Sequence, residues 1–167
     1  MIYRFRIILD AQEDVFRDIE IEAKATLEDF HNAIIQSFGF AGQEMASFYL
    51  SNEIWKQGEE IVLYNMNEEN DSLRVMNETF IDDVTDKSQT KLIYVYDFLN
   101  MWTFLIELAD IAESEEEQSY PNLMFAVGDI PEVSPKKEFI AEDSEEDDYS
   151  GLNPNEYDDI DFNENLN

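Results

Sequence analysis

Forty Asp and Glu against ten Lys and Arg give this 167-residue chain a formal charge of −30, and it contains no cysteine. Disulfides, thiolate chemistry and every cysteine-containing zinc site are excluded, and direct nucleic-acid binding is disfavoured, because it needs a patch of cations to displace counterions from phosphates. The charge is also uneven: every cation lies at or before Lys137, and the thirty residues after it carry twelve Asp and Glu. The chain therefore divides into a body, 1–137, long enough for one hydrophobic core, and an acidic tail, 138–167.

Met1 to Leu9 is apolar but interrupted by Arg4 and Arg6, with Asp10, Glu13 and Asp14 directly behind it, so neither a signal segment nor a membrane span can be drawn. A cytoplasmic location is expected. Tyr3, Phe5, Ile7 and Leu9 alternate with Arg4, Arg6 and Ile8, the period of two that predicts a strand with one buried face. After the polar Gln12-Glu13-Asp14 turn, Val15, Ile19 and Ile21 oppose Asp18, Glu20 and Glu22, which predicts a second strand and a hairpin; only Arg17 interrupts the apolar side. Thr26 offers an N-cap oxygen, Asp29 can reach back to its amide, and Gly39 supplies a left-handed stop. Between them a helix over 26–38 is predicted, with Leu27, Phe30, Ile34 and Phe38 as the stripe that closes the core over the hairpin.

Ala46 to Leu50 and Glu60 to Tyr64 are shorter β-like runs whose pairing the sequence does not reveal, joined by a polar connection containing Trp55. Asn67 to Asp71 is expected to turn, and Asn77 to Val84 to form one short helix with Phe80, Ile81 and Val84 inward. Lys91 to Phe98 alternates again, with Leu92, Tyr94, Tyr96 and Phe98 on one face, and Trp102, Phe104, Ile106 and Leu108 follow, a second hairpin around Leu99-Asn100-Met101. Leu123 to Val127 adds a last edge strand after the acidic Glu113 to Gln118 loop, and Pro131 and Pro135 are expected to stop regular structure. The predicted class is α+β: a mixed, β-grasp-like sheet with an N-terminal β-hairpin and one main packed helix.

Two strands followed by Thr26 to Phe40, TLEDFHNAIIQSFGF, resemble the opening of the plasmid pRiA4b ORF-three-like family, and Tyr96-Asp97-Phe98 with Trp102 is similar to its second signature. That signature usually reads Tyr-Asp-Phe-Gly-Asp, one residue, then Trp and often His two places on. Here Asp97 and Trp102 are kept, while Leu99, Asn100 and Phe104 stand where Gly, Asp and His are expected, so the chain resembles a divergent, acidic branch. Over residues 1–130 the resemblance implies a compact α+β domain, often associated with mobile elements, with no established biochemical role and no active site to transfer.

The candidate site residues are His31, Asp97 and Trp102. His31, the only histidine, borders the buried helical stripe and reads either as a hydrogen-bonded core-edge residue or as an acid–base group that lacks a visible nucleophile. Asp97, at a strand end, reads either as a turn cap or as one oxygen of a hard-cation site. No serine sits in a Gly-x-Ser-x-Gly elbow, five glycines form no phosphate-binding loop, and Asp143, Glu145 and Asp147 fail as a calcium loop, since Asp148 and Pro154 replace its glycine and its last carboxylate. No catalytic residue, cofactor or metal is expected. In the tail, carboxylates interleave with Phe139, Ile140, Tyr149, Leu152, Tyr157, Ile160 and Phe162, and three readings stay open: a solubilising arm, a segment docked on a strand edge of the body, or one that folds on a basic partner. The expected function is a non-catalytic protein-interaction module for a basic protein, in one variant a nucleic-acid mimic; the alternative is a carboxylate-based, metal-assisted hydrolase using His31 and Asp97.

Overall fold

Strand β1 (Ile2–Leu9) buries Tyr3, Phe5, Ile7 and Leu9 as its alternation requires, and β2 (Phe16–Glu22) returns beside it antiparallel, with Ile8 opposite Phe16 and Ile2 opposite Glu22. The computed structural model describes residues 1–66, 69 and 72–135. Helix α1 (Leu27–Phe38) starts at a complete capping box: Thr26 Oγ1 accepts from Asp29 N at 3.1 Å, and Asp29 Oδ2 accepts from Thr26 N at 3.0 Å. It stops at Gly39, whose φ of 85° lies in the left-handed region open to glycine, and whose N–H donates to Ile35 O and Gln36 O.

The buried stripe of α1 is the predicted one, and its rings define where the helix lies. Phe30 meets Phe5 of β1 at 4.6 Å between centroids and Phe48 of β3 (Ala46–Leu50) at 5.6 Å. Phe38 meets Phe104 at 4.8 Å, and Tyr94 links Phe48 and Phe104 at 4.9 and 5.9 Å. Each such pair contributes about 0.5–1.5 kcal/mol beyond the area it buries, so this aromatic chain both fills the core and fixes the helix across the sheet.

The remaining elements are β4 (Glu60–Val62), β5 (Arg74–Val75), a 3₁₀ turn at Met76–Glu78, α2 (Ile81–Val84), β6 (Lys91–Tyr96), β7 (Trp102–Ala112) and β8 (Asn122–Val127). One eight-stranded sheet runs β5-β4-β3-β6-β7-β1-β2-β8; its neighbours are antiparallel apart from the parallel β4–β5 pair, so the sheet is mixed and the class α+β. The two short runs whose pairing was unreadable lie side by side as β3 and β4, with β6 on the other flank of β3.

Two side chains expected in the core point outward. Asn77 to Val84 is not one helix but a 3₁₀ turn and the single-turn α2, with Thr79 and Phe80 extended between them; Phe80 is the N-cap of α2 and half exposed, and Met76 takes the inward place beside Ile81 and Val84. Phe98 is also half exposed, because Asp97 adopts φ 67° and the left-handed residue ends the alternation of β6 one step earlier. No strand or helix of the described residues follows β8 up to Pro131, as expected. The turn expected over Asn67–Asp71 lies, apart from Glu69, outside the described residues, as do Lys136, Lys137 and the acidic tail. Among the described residues no helix is long and apolar enough to cross a membrane.

Candidate functional site

His31 lies on the core-facing side of α1, 3% exposed, with Nδ1 2.7 Å from the Tyr94 hydroxyl of β6. Burial alone pushes its pKa down from 6.5 to about 4, so the ring is neutral near neutrality. Burial likewise raises the Tyr94 phenol well above its ordinary value, so the pair is a neutral hydrogen bond inside the core.

Asp97 closes the β6–β7 turn on itself. Its Oδ1 accepts from the N–H groups of Leu99 (3.2 Å) and Asn100 (3.4 Å), its Oδ2 from Asn100 Nδ2 (2.6 Å), and its carbonyl from Met101 N (2.6 Å). The carboxylate caps a turn whose first residue is left-handed, a conformation that Asp tolerates because its side chain bonds the local backbone. Trp102 packs on Phe40 at 5.4 Å, and the neighbouring Phe104 is fully buried against Phe38 and Phe40. No hydrogen bond, ion pair or ring contact joins His31, Asp97 and Trp102 to one another. Each has its own partner: His31 bonds Tyr94, Asp97 bonds its own turn, and Trp102 packs on Phe40. Among the described residues no three His, Asp or Glu side chains converge as a cation's ligands would. An open groove of about 430 Å³, lined by Lys87, Thr90, Leu108, Ala109, Asp110 and Ile111, holds no set of convergent acids and bases.

What the sheet does assemble is an ordered surface on the face away from α1. Cross-strand register places Tyr49, Ile93, Leu105, Ile8, Phe16 and Val127 in one apolar row across six strands. The next row alternates in charge, Lys91, Glu107, Arg6 and Asp18, before ending on Phe125. Lys91 Nζ lies 3.0 Å from Glu107, Arg6 donates twice to Asp18 at 2.8 and 2.9 Å, and the Arg6 guanidinium sits 4.1 Å over the Phe16 ring. A third row links Asp110, Arg4, Glu20 and Asn122 through contacts of 3.1, 2.9 and 3.0 Å.

These rows consume the cations. Arg4, Arg6, Lys24, Arg74 and Lys91 are all in ion pairs. Arg17, which interrupts the apolar side of β2, is buried over the Phe38 ring at 4.5 Å and donates to the carbonyls of Phe16, Ser37 and Val127 at 2.9, 2.9 and 3.0 Å. It gives α1, which has no basic residue in its last turn, a positive charge at its C-terminal carbonyls. Of the described cations, Arg17, Lys56 and Lys87 form no ion pair, and of these only Arg17 is held by carbonyls, while Glu13, Asp14, Glu22, Glu115, Glu116, Glu117 and Asp129 are exposed and unbridged.

One strand departs from this charged exterior. β8 is the outermost strand beyond β2, its six residues Asn-Leu-Met-Phe-Ala-Val are uncharged, and Leu123, Met124 and Phe125 are 47, 46 and 55% exposed. Its pairing with β2 is interrupted by a register shift between Asp18 and Ile19, where Met124 is the extra residue. The sequence reading of Leu123 to Val127 as a last edge strand agrees with this place at the end of the sheet.

The model of the plasmid pRiA4b ORF-3-like protein family matches residues 1–134. The chain belongs to this family. As a pRiA4b ORF-3-like protein it is similar in structure to a protein of unknown function, MM3350, from Methanosarcina mazei Go1: the TM-score is 0.69 at 20% identity, covering 89% of this chain and 85% of that one, a likeness of fold. No curated protein matches. Two positions at which the sequence departs from the expected second signature have local roles: Asn100 ties to Asp97, and Phe104 joins the aromatic core.

Proposed function

We propose that this domain acts by protein contact and takes a basic protein as its partner. The observation that supports it is the distribution of charge: among the described residues Arg4, Arg6, Lys24, Arg74 and Lys91 are held in ion pairs and Arg17 by backbone carbonyls, so few cations stand free to break the anionic field of a −30 chain. Such a field speeds encounter with positively charged surfaces and repels anionic ones. The competing hydrolytic reading needs His31 and Asp97 to share a substrate, and their side chains are already bonded to Tyr94 and to the β6–β7 turn. Immobilised protein incubated with cell extract at low salt is expected to retain basic proteins that elute as salt is raised toward about 0.5 M, where screening shortens to well under 8 Å. Retention of only neutral or acidic proteins would count against the proposal.

A further inference from the structure

We infer that β8 is the docking strand: a basic, extended segment of the partner adds to the sheet beyond Asn122–Val127. The inference rests on the reading of a basic partner and assigns it a place and a geometry. An edge strand presents a row of backbone N–H and C=O groups, and exposed edges are normally blunted with lysine, proline or inward-pointing charge. β8 carries no lysine, proline or charge within its six residues, and its one irregularity is the bulge at Met124. Among the described residues, the cation bonded to β8 is Arg17, which is buried and holds Val127 O, so it anchors the strand from its inner side.

Charge complementarity selects the occupant. The middle of β8 is apolar, with Leu123 on the α1 side, Phe125 on the opposite side against Phe16 (6.2 Å), and Met124 at the bulge. Both ends are acidic. At the Val127 end, Gly128 abuts the Asp14 backbone, which brings Asp14 and Asp129 to the strand's exit, and neither is in an ion pair. At the Asn122 end, Asn122 bonds Glu20, and Glu115, Glu116 and Glu117 precede the strand without a cation. An extended peptide with apolar residues at its centre and Lys or Arg toward its ends would gain ladder hydrogen bonds, bury Leu123, Met124 and Phe125, and meet opposite charge at each end. A second copy of this chain meets the backbone requirement equally but would set these carboxylates against their own kind.

The probe is a synthetic decapeptide, Lys-Lys-Val-Thr-Val-Thr-Val-Thr-Lys-Lys, titrated against the full chain at low salt and followed by calorimetry and amide hydrogen exchange. The expected result is binding that protects the amides of 122–127, weakens at least tenfold when alternate peptide amides are N-methylated, and disappears when the four lysines become glutamate. Met124→Lys and Phe125→Lys, both at exposed positions, should weaken binding at least tenfold without lowering the Tm. Binding unaffected by N-methylation and by both substitutions, with no protection of 122–127, would overturn the β8 assignment and leave the basic-partner reading standing. Failure of the lysine peptide and of basic proteins alike would overturn both. A concentration-dependent dimer that Phe125→Lys dissolves would reassign β8 to self-association and overturn the inference.

Discussion

At the level of single residues, burial sets the chemistry of His31 and local bonding sets that of Asp97. The unfolded chain takes up a proton at the His31 ring near pH 6.5, the folded one only near pH 4. Above pH 6.5 neither state holds the proton. As pH falls through this window the unfolded state binds it first, so stability drops, by on the order of 3 kcal/mol over the whole interval. His31→Gln removes that contribution, so the advantage of wild type over the variant, measured by urea unfolding, should shrink steadily from pH 7 to pH 4. Parallel curves would mean that the ring is not desolvated as described. At Asp97, Asp97→Ala keeps the φ of 67° but loses the side-chain acceptors, and should cost about 1–2 kcal/mol. Asp97→Gly relieves the backbone while losing the same bonds and should fall between the two, a ranking that denaturant midpoints will decide.

Between elements, Arg17 joins β2 to the end of α1 and to β8 through three carbonyls. Hydrogen bonds from a charged donor are worth about 1.5–3 kcal/mol, so Arg17→Met, which keeps the apolar stem over Phe38, should destabilise by about that much and loosen β8 first. Amide exchange that rises across 122–127 before the rest of the sheet would show it; uniform loss would show that β8 is held by β2 alone. The same residue marks what the sequence could tell. α1 was legible because its signals are local: Thr26, Asp29 and Gly39 stand within fourteen residues and each acts on its own turn. Hairpins β1–β2 and β6–β7 were legible for the same reason. The order β3-β6-β7-β1 was not, because it depends on pairings between segments far apart in the chain. Phe80 and Phe98 went astray where one backbone step, an N-cap and a left-handed aspartate, resets a side-chain period that composition carries straight through. For the candidate site, the sequence placed His31 beside the buried stripe and Asp97 at a turn, but the partners that occupy them, Tyr94 and the β6–β7 turn, belong to the fold. Arg17 looked like a defect in an apolar pattern, since carbonyl acceptors leave no trace in composition.

Across the whole molecule, −30 of formal charge works against compactness, and the exposed ion pairs offset little of it. Raising ionic strength from about 0.01 M to about 1 M shortens the screening length from about 30 Å to about 3 Å and relieves the repulsion. The Tm should therefore climb by several degrees with sodium chloride. A fall would show that the paired rows on the outer face, Lys91-Glu107-Arg6-Asp18 and Asp110-Arg4-Glu20, outweigh the repulsion. Those rows also bear on how the chain assembles. β1 lies between β2 and β7, yet the acid that Arg4 meets on β7 is 106 residues further along. During synthesis one flank of β1 must wait, unpaired, until nearly the whole sheet has emerged. Arg4 and Arg6 can pair with Glu20 and Asp18 as soon as the β1–β2 hairpin closes, and Arg4 gains Asp110 only when β7 arrives. The hairpin's charged exterior is thus an early contact, and Arg4 holds one further bond in reserve for the last neighbour to arrive.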